Sequence, residues 1–542
     1  MIIKKKIGNI IEKIENQKNK FETWFFGFLG IVLLRMFIEI FLNNIPTKNG
    51  CSYLFFLVND FLLIMTIYLF ILIFLIIFTK DNFKKLNNIL FYGAWLVLLP
   101  PIIDRLVFKE SLYKNFYIFD SLIGLIKRFF LFYGDGLSWG ITIGGRIFIF
   151  LSIILLSGYY FYKKNKILKT FFLAVFLYSL FFIFNSLPTL ITFILEFFRT
   201  GTILEVSRTT VVGYFMSPFS VFGIENNELA LFLVKKMSLI YYVLLFISVN
   251  FLYFLINKKK YLSLIKNIRP VQVVYNWGLL FLGLSFGFLS FPENFQLNFF
   301  TVLSILVLVI VVFCSWVSSV LINDLSDLAI DKISNTERPL IKKEITAEEY
   351  KKINIILVLF LIIGAFLIKP LFVVFVVLYY FLTWFYSCKP FRFKRIFLLS
   401  NTLIAFSSLL FLLMGFIVFS GEKTLSIFPW KIYWFLFWAY FLITPLKDLK
   451  DFEGDKKNKS YTLPVLVGKK NTRLIIASFL FSFYLASVYI LNKQELFLSA
   501  LIFGVINFLI VNNNKISEKI INYWVLGSVF IYGLWIVKVV FM

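Results

Sequence analysis

Apolar runs of about 20 residues recur from one end of this chain to the other, and they leave it few ways to fold. Wound as a helix, a run of that length matches the hydrocarbon core of a bilayer. Inside lipid every backbone N–H and C=O must be satisfied within the segment itself, so such runs require helices. The expected fold class is an all-α polytopic membrane protein. Hydrophobic residues make up 60% of the 542 positions and charged ones 15%. Each cluster of carboxylates therefore stands out.

The first half shows six expected spans, near 23–43, 53–79, 87–108, 139–162, 168–194 and 237–257. The first has no small-residue cleavage site and reads as an uncleaved span. A semi-apolar stretch at 115–133 is expected to lie in the interface or re-enter. Gly134, Gly136, Gly140, Gly144 and Gly145 match no phosphate-binding loop and read as a tight turn or a close helix approach. Asp60, Asp104, Arg105 and Glu196 lie in or near spans, and Asp60 is expected to pair with Arg105. The basic run Lys258–Lys260 divides the chain into expected modules 1–260 and 261–542. The second module shows nine spans, near 272–290, 299–322, 352–368, 371–387, 396–419, 431–447, 474–491, 496–511 and 521–541.

The formal net charge of +26 invites a nucleic-acid reading. The basic residues, however, sit in short loops between apolar runs, as the positive-inside rule requires. In the second module about twenty Lys and Arg fall on one set of loops, against Lys369, Lys423, Lys431 and Lys493 on the other. The heavily charged side is expected to face the cytoplasm, in a prokaryotic cytoplasmic membrane. The chain has no histidine, which excludes a Ser-His-Asp triad and histidine-ligated zinc or haem. Cys51, Cys314 and Cys388 form no metal-binding spacing.

Two acidic clusters end apolar helices on that side. The first holds Asn323, Asp324, Asp327 and Asp331, and the second Asp448, Asp451 and Asp455. On a regular helix the first four fall near about 0°, 100°, 40° and 80°, one face. The second three form a narrow stripe on the same reckoning. Like charges at this spacing repel, so a cation is expected among them, a divalent metal foremost. Carboxylates suit Mg²⁺, which commonly bridges one or two of them to substrate phosphates. Arg338, Lys394, Arg395 and Lys456 lie nearby in sequence and suit the remaining phosphate charge.

Residues 261–542 resemble the UbiA family of intramembrane prenyltransferases. The resemblance lies in Asn323-Asp324-x-x-Asp327-x-x-x-Asp331, the pair Arg338-Pro339, Asp451-x-x-x-Asp455, and Thr462-Leu463-Pro464. Tyr386-Ser387 followed by Lys394-Arg395 and Asn401 resembles the segment between the family's motifs. Some members place a lysine four residues after the tyrosine, where this chain has Pro390.

The resemblance implies a nine-helix bundle, here preceded by an additional module of about six helices. It implies Mg²⁺ held by Asn323, Asp324, Asp327, Asp331, Asp448, Asp451 and Asp455. Asp324, Asp327, Asp451, Asp455 and Lys394 are the expected catalytic residues. Asn323, Arg338, Lys394, Arg395, Tyr386, Asn401 and Lys456 are expected to bind substrate. The implied partners are an allylic isoprenoid diphosphate and an aromatic, quinone-precursor-like or lipid acceptor within the bilayer, with no nucleic acid. Two other readings stay open: phosphoribosyl transfer onto a polyprenyl phosphate, and a non-catalytic transporter or scaffold. The first module resembles no family, and binding of a partner protein or lipid is one reading of it.

Overall fold

The computed structural model describes all residues except 1, 44–49, 107–117, 120, 135–140, 204–205, 220, 222–228, 421–424, 458–459 and 542. The described residues are helical, without a strand; one isolated bridge joins Ile396 to Tyr461. They fall into two compact units, one within Met1–Phe219 and Asn226–Ile256, the other within Asn257–Met542.

Fourteen helices among the described residues are long and apolar enough to cross a membrane, six in the first unit and eight in the second. The remaining expected span, near 431–447, is a shorter helix, Trp430–Ile443, that continues as a 3-10 turn, Thr444–Leu449. Pro445 lies in the first turn of that segment, and a prolyl nitrogen cannot donate to the preceding α-helical turn. The tightened winding carries the second acidic cluster.

Caps fix where the second unit's helices begin. Asn298 accepts from the backbone of Thr301, and Thr346 forms a capping box with Glu349. Pro370 opens Pro370–Ser387. Helices Pro270–Ser290 and Phe397–Phe419 pack backbone to backbone. A Cβ added at Gly283 would lie 2.0 Å from the Leu412 carbonyl oxygen, and one at Gly415 would lie 2.2 Å from that of Leu280. Small residues permit such approach in membrane bundles.

In the first unit the stretch 115–133 contains a helix, Leu122–Phe130. Gly134 takes a positive φ of 64° in the turn after it, and a Cβ at Gly144 would lie 2.6 Å from the Pro100 carbonyl. Gly136 and Gly140 lie outside the described residues. The expected Asp60–Arg105 pair is not formed. Arg105 has no ion pair among the described residues, while the neighbouring Asp104 accepts from the Gly144 backbone at 2.6 Å. Arg35 instead pairs with Glu39 one turn along its own helix, at 2.9 Å.

Candidate active site

The first acidic cluster does not lie on one continuous helix. Helix Phe299–Ser326 ends at Asp327, and a short helix, Leu328–Ser334, restarts there. Asn323, Asp327 and Asp331 line a cavity of about 340 Å³. Asp324 does not line it. Its carboxylate, 1% exposed, is enclosed by Arg269 and Arg338, which themselves line the cavity. It had the largest angular offset of the four, about 100° from Asn323 on the same unbroken helix.

Basic side chains neutralise this cluster. Asp324 accepts from Arg338 at 2.7 Å, from Arg269 at 3.1 Å and from Asn267 at 2.7 Å. Arg338 reaches on to Asp331, which also accepts from Asn335 at 3.1 Å. Asp327 takes Arg392 at 2.9 Å and Lys394. Asn323 accepts from the Ser387 hydroxyl at 3.3 Å. The cation expected among the carboxylates is thus supplied in part by the chain's own Arg and Lys.

The second cluster lines the same cavity through Asp448, Asp451 and Asp455. Asp448 stands on the 3-10 turn, Asp451 after it, and Asp455 on the short helix Phe452–Lys457. None of the three forms an ion pair among the described residues; Asp455 accepts from the Thr462 hydroxyl at 3.4 Å. The Tyr461 backbone ties this region to the basic loop, donating to the Arg395 carbonyl at 2.7 Å and accepting from Phe397 at 3.1 Å. That bridge brings Lys394 and Asp455 to one rim. Burial pushes the carboxyls of Asp331 and Asp455 up to about 6, and it pushes the Lys394 ammonium down.

Arg338, Lys394 and Tyr386 also line the cavity. Three other expected substrate-binding residues do not. Arg395 is exposed beside the backbone bridge, and Lys456 is exposed with its ammonium 5.9 Å from the Phe452 ring. Asn401 donates to the Phe441 carbonyl at 2.9 Å, joining two helices. Four basic residues that sequence reasoning passed over belong to the site region: Arg269, Arg392, Lys447 and Lys450. All but Arg392 line the cavity, and Arg392 grips Asp327. In sequence they look like ordinary loop charges; Lys447 and Lys450 adjoin the second acidic motif, Arg392 adjoins Lys394, and Arg269 precedes the helix start at Pro270.

Away from this polar end the wall is apolar and aromatic, with Tyr275, Trp316, Tyr379, Leu403, Ile404 and Tyr440 among its residues. The cavity thus offers oxygen ligands and basic donors at one end and a hydrocarbon surface at the other. Among the described residues no three carboxylates converge closely enough to hold a metal ion by themselves. An all-oxygen donor set of this kind suits a hard cation that arrives with phosphate oxygens completing its shell.

Two digeranylgeranylglyceryl phosphate synthases resemble the chain. That of Methanococcus maripaludis is 31% identical over 164 residues, covering 30% of this chain and 55% of the relative. That of Methanococcoides burtonii is 44% identical over 61 residues, covering 10% and 22%. The chain therefore spans about half, or less, of the curated relatives it matches. Among solved structures, a UbiA homologue from Archaeoglobus fulgidus bound to GPP and Mg²⁺ aligns at 20% identity with a TM-score of 0.39, covering 51% of this chain and all of that one. An apo UbiA homologue from Aeropyrum pernix aligns at 14% identity with a TM-score of 0.38, covering 49% and 97%. The pattern described as the UbiA prenyltransferase family matches residues 279–519 of this chain.

Proposed function

We propose that the second unit transfers a prenyl group from an allylic isoprenoid diphosphate to an acceptor within the membrane, with Mg²⁺. The observation that carries this reading is one cavity with both acidic clusters at its polar end and an aromatic, apolar wall beyond. Asp451 and Asp455, with Asp327, Asp331, Asp448 and Asn323, would hold the metal together with the diphosphate. Bound there, Mg²⁺ would draw charge from the diphosphate and ease its departure.

The chain's own groups do the rest. Arg338 and Lys394 turn from their carboxylates to the diphosphate oxygens, where Arg can bind two at once. The bond between prenyl C1 and the diphosphate oxygen breaks, and its electron pair leaves with the diphosphate. The faces of Tyr275, Trp316, Tyr379 and Tyr440 are available to the positive charge that develops on the allylic carbons. An acceptor oxygen or ring carbon supplies the pair for the new bond to C1. Its proton passes to the released diphosphate or to water, since the chain offers no histidine. The names of the two curated relatives favour a phosphorylated glycerol lipid over an aromatic acceptor.

The reading takes 1–260 and 261–542 as separate modules and sets the polar end of the cavity toward the cytoplasm, on the side rich in Lys and Arg. Its test incubates the purified full chain with Mg²⁺, a series of allylic diphosphates, and either a prenylated glycerol phosphate or a hydroxybenzoate. Diphosphate and product are followed by mass. Prenylated glycerol lipid with equimolar diphosphate is expected. Consumption of phosphoribosyl diphosphate with a polyprenyl phosphate instead, or no diphosphate release at all, would overturn it.

A further inference from the structure

Lys447 is a cation that the acidic clusters leave over. It stands on the 3-10 turn Thr444–Leu449, and its ammonium donates to the Tyr386 hydroxyl at 2.7 Å. Among the described residues it forms no ion pair. The four cations bound to the first cluster, Arg269, Arg338, Arg392 and Lys394, each close on a carboxylate. An ammonium has three N–H donors, and Tyr386 takes one. Leaving the others in a protein cavity without an anion is costly. Asp448, its sequence neighbour, acts on it through space without an ion-pair contact.

Its position is as telling as its lack of an ion pair among the described residues. Forward along the chain the cavity lining is polar, with Asp448, Lys450, Asp451 and Asp455; backward it runs through Thr444 to Ile443 and Tyr440. Lys447 therefore marks the seam between the charged end and the apolar wall, where the head group of an amphiphile comes to rest. Lys450 also lines the cavity without an ion pair, but it is exposed, where water answers its charge.

We propose that Lys447, positioned by Tyr386, seats the anionic group of the acceptor, and that the acceptor is a lipid bearing a phosphate monoester beside its nucleophile. This rests on the prenyl-transfer reading above. The diphosphate has the metal, Arg338 and Lys394 to answer its charge. A second phosphate needs a cation of its own, and Lys447, lining the cavity between Thr444 and Asp448, supplies one.

The test is a split in KM, measured on the full chain with Mg²⁺, one allylic diphosphate, and two acceptors that differ only in the phosphate monoester. Lys447→Met is expected to raise KM for the phosphorylated acceptor about tenfold or more, the size of one charge-assisted hydrogen bond, and to hold KM for the diphosphate within about twofold. The preference for the phosphorylated acceptor disappears with it, and Lys447→Arg restores most of that preference. A rise in the diphosphate KM alone would place Lys447 in the diphosphate clamp and overturn the proposal. An unchanged acceptor preference would overturn it too. Should Lys447→Met not fold, Tyr386→Phe serves: a several-fold rise in acceptor KM alone supports the proposal, and none contradicts it. A natural chain that turns over only neutral acceptors sinks this proposal and spares prenyl transfer. One that releases no diphosphate with any acceptor sinks both.

Discussion

The two acidic clusters face one cavity but are held in opposite ways. Asp324, Asp327 and Asp331 are each ion-paired to Arg or Lys. Asp448, Asp451 and Asp455 form no ion pair among the described residues, and Asp455 has the Thr462 hydroxyl. One wall is therefore a set of charges already neutralised, which an incoming metal–diphosphate must rearrange. The other is a set of charges held ready. Carboxylates at similar sequence spacing serve partly to build the site and partly to bind in it, and the basic partner of each shows which.

The contrast between the two walls is expected first in activity. Asp451→Asn removes a ready ligand and is expected to cost about 10³-fold in turnover, a typical scale for losing one preorganised electrostatic contact. A loss under tenfold would remove the second cluster from the metal site. Next comes stability. Asp324→Asn strips a buried carboxylate from Arg338 and Arg269 and is expected to cost about 3 kcal/mol, seen as lower thermal stability in detergent. Asp451→Asn, with no ion pair to break, should leave the unfolding temperature nearly unchanged. Equal losses from the two variants would erase the contrast between the walls.

The pH dependence has a sign that follows from burial. Asp331 and Asp455 titrate near about 6, above the ordinary carboxylate range. A carboxyl whose pKa rises on folding binds more protons folded than unfolded, so its contribution to stability falls as pH climbs from its unfolded pKa through about 6. Metal capture runs the other way, because the metal needs the ionised form. Metal–diphosphate affinity should therefore strengthen as pH rises through 6 and then level off, while the ligand-free protein loses stability over the same range. A flat affinity profile would contradict the assignment of these two groups. The smallest effect is expected at the residues that line no cavity: Arg395→Ala and Lys456→Ala should keep KM for the diphosphate within about twofold, as exposed charges commonly do.

Much of this could be read from the sequence, and the limits have physical causes. Spans were legible because lipid leaves the backbone one economical solution, so the apolar runs and the helices nearly coincide. The acidic positions stood out because charge is scarce in such a chain. The helical wheel set Asp324 with the other three although it stands about 100° from Asn323 on one unbroken helix. It also missed the 3-10 turn that carries Asp448, where Pro445 alters the local pattern. Partner choice was beyond reach: Arg269 and Asp324 are 55 positions apart, and Arg392 and Asp327 are 65 apart. Only packing decides that Arg392 meets a carboxylate while Arg395, three residues on, faces outward.

Joint binding of metal and diphosphate by two unlike walls is the core of the proposal. It is tested most directly by titrating Mn²⁺, a paramagnetic stand-in for Mg²⁺, into the purified chain with and without an unreactive allylic diphosphate analogue. The predicted result is weak binding of the ion alone and at least about a hundredfold tighter binding with the analogue, because phosphate oxygens complete its shell. The same affinity in both titrations, or binding undiminished in Asp451→Asn, would contradict it.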